Sequence, residues 1–328
     1  YTFDLDNFDL GMIYYFFAVV GFWGSLVFYN SYLPDIANVD EQDITSAKGY
    51  SLGYLGSIIL LIFCLFLTQF PEYFNISDKT HAVKISFVLV GIWWLAFSQY
   101  SFYYLPGKNF YNVKKTNLYS TTTLFSGFNQ LINVLNQLKT NKNLKIFLLS
   151  FFIFTIPTQT IILLASYFGA DLNEISWDSE ETMQTGLIIA IIVIQILAAV
   201  GAYLGAKISN RFGNINTLIG INILWGIICL FGFFVTTPIE FYYAAGFIGL
   251  GMGGIQSLSR STFSKLIDVK YSTSYFSFYD VSQKLSIVIG TAIYATMDLY
   301  TGSIRLAILL FSLLFIPSIY FLSKVSND

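Results

Sequence analysis

Nine apolar stretches fill most of this chain, and each is about as long as a bilayer is thick. They read at Leu10–Tyr32, Tyr50–Phe70, Ile85–Leu105, Leu144–Phe168, Thr185–Ile208, Leu218–Thr236, Phe241–Phe263, Tyr275–Met297 and Leu306–Leu322. A helix rising 1.5 Å per residue crosses ~30 Å of hydrocarbon in ~20 residues. With a mean hydropathy of +0.64 and 11% charged residues, a soluble core of this size does not account for the composition. The sequence predicts an all-α polytopic membrane protein with nine transmembrane helices.

Other classes find no support. The net charge is −2 and the 17 cations are scattered, so no nucleic-acid partner is expected. Cys64 and Cys229 both fall inside apolar spans, which argues against a disulfide framework or a thiolate metal site. No His/Cys/acid cluster, Ser/His/Asp set or P-loop stands in the sequence, so neither a metal nor a cofactor is expected. The chain opens on Tyr1 and the acids Asp4, Asp6 and Asp9 rather than on Met and a basic segment. That is not a signal peptide, and the sequence is expected to be a piece of a longer protein.

The cations of short loops set the orientation. Lys108, Lys114, Lys115, Lys139 and Lys142 lie between the third and fourth spans, Lys207 and Arg211 in the next loop on that side, then Lys265 and Lys270, and finally Lys324. The opposite face carries the cation-free loop from Gly169 to Glu181, with Lys79, Lys84 and Arg305 as exceptions. The cationic side is read as cytoplasmic, which puts the C-terminus inside. One loop fits poorly: Asp35–Lys48 is placed inside although it is acidic and holds one lysine.

A polar stretch divides three spans from six, giving residues 1–106, a cytoplasmic linker at 107–143 and a six-helix half at 144–328. Within the linker, Leu124, Phe125, Phe128, Leu131, Ile132, Leu135 and Leu138 recur at helical spacing and predict an amphipathic helix on the cytoplasmic face. There is also an echo at an offset of 226 positions. Asn30-Ser31 answers to Gln256-Ser257, and Tyr50-Ser51-Leu52 to Phe276-Ser277-Phe278. Spans one to three would then repeat as seven to nine, as in a carrier of two six-helix halves, and three helices ahead of Tyr1 would complete twelve.

Polar groups at membrane depth are costly unless paired or facing water, so they mark candidate sites. Gln159 and Thr160 follow Pro157, which removes a backbone donor from the fourth span; freed carbonyls and an amide there suit a zwitterionic or hydroxylated solute. Gln256 and Arg260 share a helical face at i, i+4, as do Asp280 and Lys284. Arg260 and Asp280 are expected to pair across helices as an inner gate. Lys284 lies nine positions past the start of its span, about 13 Å deep, too far for comfortable snorkelling. It either faces a cavity, where it binds a carboxylate, or fastens helices through Asp280. The glycines Gly246, Gly249, Gly251, Gly253 and Gly254 of the seventh span permit close packing or a bend.

Gly205-Ala-Lys-Ile-Ser-Asn-Arg211-Phe-Gly213-Asn-Ile-Asn-Thr-Leu218 resembles the signature loop of the major facilitator superfamily, G-x-x-x-D-R-x-G-R-x-x-x-L. Arg211, Gly213 and Leu218 match in spacing; Asn210 and Asn214 replace the acid and the second arginine, and Gly205 sits one residue early. Arg211 is expected to bond helix C-terminal carbonyls or a neighbouring acid.

Longer strings carry a more specific resemblance. Gly21-Phe-Trp-Gly-Ser-Leu-Val-Phe-Tyr-Asn-Ser-Tyr-Leu-Pro-Asp-Ile36, Ala47-Lys-Gly-Tyr-Ser-Leu-Gly-Tyr-Leu-Gly-Ser57, Gly251-Met-Gly-Gly-Ile-Gln-Ser-Leu-Ser-Arg-Ser261 and Ser277-Phe-Tyr-Asp280 are similar to the vacuole effluxer family, a branch of that superfamily. The resemblance implies a twelve-helix carrier, seen here without its first three helices, that moves small polar solutes, amino acids first among them, by alternating access. A bacterial plasma membrane suits the sparse loops. Proton coupling through Asp280 or Asp298 and facilitated diffusion both stay open, as do two other readings, a membrane enzyme acting on lipid-linked substrates and a receptor or scaffold built on a carrier fold.

Overall fold

The computed structural model describes residues 8–105, 129, 131–132, 134–138, 140–172 and 174–326. Nine long helices lie among them: α1 (Phe8–Ser31), α2 (Gln42–Gln69), α3 (Lys79–Tyr104), α4 (Lys142–Ala170), α5 (Glu180–Phe212), α6 (Asn214–Phe234), α7 (Pro238–Leu266), α8 (Ser272–Thr301) and α9 (Ile304–Leu322). Seven are also apolar enough along their length to cross a membrane. The other two, α7 and α8, are long enough at 29 and 30 residues but carry too many polar and charged groups. Gln256, Arg260, Asp280 and Lys284 are all on this pair.

Local chemistry sets the boundaries. Asp78 caps α3, Asn141 caps α4, and Ser179 with Thr182 forms a capping box at α5. Thr237 and Glu240 do the same for α7, with Pro238 in its first turn. Gly213, at φ 82°, makes the break between α5 and α6 that a residue with a Cβ resists. Two connections repeat each other. Both α1–α2 and α7–α8 pass through one turn of 3-10 helix, at Val39–Glu41 and Val269–Tyr271.

The helices α4 to α9 form one bundle around α7, whose surface is buried along most of its length. Between lipid-immersed helices, association depends on close packing and interhelical hydrogen bonds. The α5–α7 contact uses small residues: a Cβ on Gly253 would stand 1.8 Å from the Ala198 carbonyl oxygen, one on Gly201 2.1 Å from that of Leu250, and one on Gly249 2.5 Å from that of Ile194. Close approach therefore accounts for the glycine string of α7, which runs as one continuous helix. The Ser150 hydroxyl donates to the Ser318 carbonyl (2.8 Å), that of Ser318 to Asn222 Oδ1 (2.9 Å), and that of Ser286 to the Phe152 carbonyl (2.9 Å), binding α4 to α9, α9 to α6 and α8 to α4. Stacked aromatics fill the space between, with Phe151 and Tyr279 ring centroids 4.1 Å apart.

The first three helices lean on this bundle along one seam, α2 against α5 and α7 and α1 against α8, while α3 packs on α2. Of the expected amphipathic stripe in the linker, Leu124, Phe125 and Phe128 lie outside the described residues. Leu131, Ile132, Leu135 and Leu138 are helical, Val134 beside them is buried in the core, and Gln137 Oε1 accepts from the Tyr275 hydroxyl at 2.5 Å.

Candidate functional site

The seam between α1–α2 and α7–α8 gathers most of the polar residues that sequence singles out. Lys284 extends from α8 across to α1, where its Nζ lies 3.0 Å from the centroid of the Trp23 ring, and it stands 3.4 Å from Asp280 Oδ1 one turn back on its own helix. The side chains keep 29% and 14% exposure, while the Lys284 Nζ atom itself is covered, so the pair lies partly buried at the edge of the seam. The opposite face of α8 shows why: Val281, Leu285 and Val288 form an exposed apolar stripe, while Tyr279, Ser286 and Gly290 are buried on the bundle. The charged pair falls where α8 meets α1.

One helix over, Arg260 is 3% exposed. Its Nε donates to Ser46 Oγ (2.9 Å), NH2 to the Ser46 carbonyl (3.0 Å) and NH1 to Asn30 Oδ1 (3.3 Å), and its guanidinium lies 4.6 Å from the Tyr50 ring and 5.3 Å from that of Tyr29. The expected Arg260–Asp280 gate is not formed. Arg260 projects toward α1 and α2, and the nearest cation to Asp280 is Lys284 at i+4, so local pairing takes precedence. A turn earlier on α7, Gln256 Oε1 accepts from the Tyr54 hydroxyl at 2.7 Å.

Toward the end of α7 lies a second charged cluster, which sequence reasoning missed. Asp43, 3% exposed near the start of α2, accepts from Lys265 Nζ (2.7 Å), Asn214 Nδ2 (2.7 Å) and Ser209 Oγ (3.3 Å), and Asn214 also donates to Thr262 (3.1 Å). One carboxylate thus joins α2 to α5, α6 and α7. The cluster also explains the acidic loop that fitted the cationic face poorly, since Asp43 is neutralised by a lysine from that face. Asn214, where the signature loop has arginine, serves as the donor to this acid.

The remaining expected residues are placed otherwise. Thr160 is fully buried, its hydroxyl donating to the Ile156 carbonyl (2.7 Å), and it packs on Gly290, where a Cβ would meet its Oγ1. It lines an apolar cavity of about 60 Å³ with Cys229, Phe241 and Tyr294 and does not reach the seam pair. Gln159 is half-buried on α4, a helix that continues unbroken through Pro157. In the signature loop, a Cβ on Gly205 would stand 3.2 Å from Gly254 Cα, and Gly213 makes the turn. Arg211 is exposed, and its contact is the face of Phe212 at 5.3 Å rather than a helix-terminal carbonyl or an acid. Trp23 belongs to the site although sequence gave it no role; its place at mid-span, away from the interfacial belts, was the available signal.

Comparison with known proteins gives a consistent assignment. A family model described as "Vacuole effluxer Atg22 like" matches residues 1–328. The MFS-type transporter YxiO of Bacillus subtilis is 27% identical over 325 residues, covering 98% of this chain and 72% of that protein. Autophagy-related protein 22 of Saccharomyces cerevisiae is 25% identical over 324 residues, covering 88% of this chain and 58% of its own length. Among solved structures, the Escherichia coli fucose:proton symporter FucP superposes with a TM-score of 0.63 at 15% identity, over 91% of this chain and 72% of that one. The chain has the polytopic helical fold of the major facilitator superfamily, and its relatives are transporters, not enzymes.

Proposed function

This chain belongs to the vacuole effluxer Atg22-like family, and from that premise we propose that it is the larger part of a secondary carrier moving zwitterionic amino acids by alternating access. The observation that carries the reading is the Asp280–Lys284 pair, partly buried in the seam and 3.4 Å apart. An α-amino acid presents its ammonium and carboxylate at a comparable separation. The carboxylate would bind Lys284 in place of Trp23, and the ammonium would bind Asp280. A solute of either single charge leaves one member of the pair uncompensated in a medium where that is costly, so the site favours zwitterions over amines and over simple acids. Gln256, one helix away on the same seam, is a further polar group.

The repeat and the relatives' greater length support a reading of twelve helices in the whole protein, with residues 1–106 as the remainder of one half, 107–143 as a linker and 144–328 as the other half. The C-terminus is placed in the cytoplasm and the protein in a bacterial plasma membrane, in keeping with the bacterial relative and the loop cations. Asp280 is the residue through which protons would couple; the structurally similar FucP is a fucose:proton symporter.

The test is counterflow in proteoliposomes holding the full-length protein. Labelled neutral amino acid should exchange saturably, unlabelled amino acids should compete, and the matching amines and carboxylic acids should not. Lys284→Ala should abolish exchange; exchange that survives it would reduce Lys284 to a helix fastener, and no exchange across an amino-acid panel would overturn the substrate assignment.

A further inference from the structure

Arg260 is, among the described residues, a buried charge that no acid answers. Among the described residues its partners are the neutral groups of Ser46 and Asn30 and the faces of Tyr29 and Tyr50. The two ion-paired acids of the seam are taken, Asp43 by Lys265 and Asp280 by Lys284. A guanidinium has five N–H donors in a planar fork, and three acceptor contacts use only part of that capacity. A cation removed from water without a counter-ion is unfavourable. Ring faces and neutral acceptors offset this less well than a carboxylate does.

The ownership of those partners gives the arrangement a direction. Tyr29 and Asn30 belong to α1, Ser46 and Tyr50 to α2, and Arg260 itself to α7. Any parting of α1–α2 from α7 strips the guanidinium of its neutral shell and presents it to the passage that opens. Lys284 meets the same helix α1 at Trp23, seven residues before Asn30, which is about 10 Å along the helix at 1.5 Å per residue.

We infer that Arg260 is a masked anion site, covered while this end of the seam is closed and bared when it opens, where it takes a carboxylate in bidentate fashion. The inference rests on the carrier reading above and deepens it. Cargo held at Lys284 in the closed state passes its carboxylate to Arg260 as the seam parts, and the planar fork suits that group better than an ammonium does. While the anion stays, Asn30, Ser46 and the two tyrosines cannot return. Closure of this end therefore waits on release.

The chain has three arginines, Arg211, Arg260 and Arg305, so phenylglyoxal labelling read by peptide mass mapping resolves each. In proteoliposomes of the full-length protein, exposed Arg211 supplies the internal standard and Arg260 should label slowly. Asp43→Asn, or Lys265→Ala should the first variant fold poorly, should release the seam and raise Arg260 labelling relative to Arg211 by about tenfold or more, as loss of charge-assisted bonds implies. In that state acetate and leucine should protect Arg260 and methylamine should not. Equal labelling of Arg260 in the wild type and both variants, or no protection by either carboxylate, would overturn the site. Protection by chloride and acetate but not leucine would overturn the cargo assignment and leave an inorganic-anion position. Counterflow in the same vesicles separates the two claims: exchange without protection removes the anion site alone, whereas protection without exchange removes the carrier reading and its cargo.

Discussion

Lys284 and Asp280 stand one turn apart on α8, and the third member of their group, Trp23, comes from another helix. Two experiments separate its contribution from theirs. A cation on an aromatic face is worth about 0.5–2 kcal/mol; cargo that takes the place of the ring on Lys284 gives up that contact, so Trp23→Leu should lower the KM of counterflow by about 2- to 30-fold by the same figure, and Trp23→Phe should stay close to the wild type. An unchanged KM in the leucine variant would make the ring a packing element. The pair itself is tested by charge balance. Asp280→Asn or Lys284→Gln alone leaves the other charge without its partner at membrane depth, whereas the double variant removes both. The singles should lose thermal stability in detergent and the double should recover most of it, as coupled neighbours do.

At the scale of the helix, the α5–α7 contact makes a sharp prediction. Gly253→Ala would place a methyl 1.8 Å from the Ala198 carbonyl oxygen, so the helices must separate, at about 1–3 kcal/mol for overpacking. Gly220 has nothing within 4 Å of such a methyl. Thermal melting should therefore fall for Gly253→Ala and hold or rise for Gly220→Ala; equal effects would mean that α7 has room to yield. What sequence could and could not show divides at this scale. The long helices were legible because length and apolarity are local properties, and the glycine string announced close approach, though not its partner. Asp43 was not legible as a site: its lysine lies 222 positions away, and on sequence alone it was one more acid in a loop that fitted poorly. The Arg260–Asp280 pairing failed for a related reason. Both residues lie in the seam as depth and periodicity implied, but the direction each side chain takes is set by which helix packs beside it. Arg211 matched its loop by spacing, yet position 210, where the signature has an acid, holds asparagine, and the Arg211 side chain is left exposed.

For the whole molecule, the polar ties across the seam fall in a band rather than along its full length. Thr273 meets Ser31 (3.2 Å), Asp43 meets Lys265, Ser46 donates to the Ser257 carbonyl (2.7 Å), Ser51 to that of Ala199 (2.8 Å), and Tyr54 to Gln256. These contacts join the end of α1 and the first half of α2 to the last third of α7, the start of α8 and, through Ala199, the middle of α5. Farther along, Leu55, Ile59, Ile62 and Phe66 of α2 are exposed, as are Tyr14, Phe17 and Val20 of α1. The molecule is thus fastened at one end, the end proposed above to face the cytoplasm. Alternating access then requires that Lys284 be reached from the opposite, outer side in this state. With Cys64 and Cys229 replaced by alanine, a membrane-impermeant methanethiosulfonate cation added outside should modify Lys284→Cys and leave Ser46→Cys unmodified. Neutralising Asp43 in the same background removes a buried acceptor of three donors, a loss worth about 3–5 kcal/mol when a buried pair is broken. The cost falls on the fastened state alone, because water can solvate Lys265 once the helices part. Ser46→Cys should then become reactive from the inner side while Lys284→Cys loses its outer reactivity. Modification of both cysteines from the same side in both backgrounds would show that the seam does not alternate.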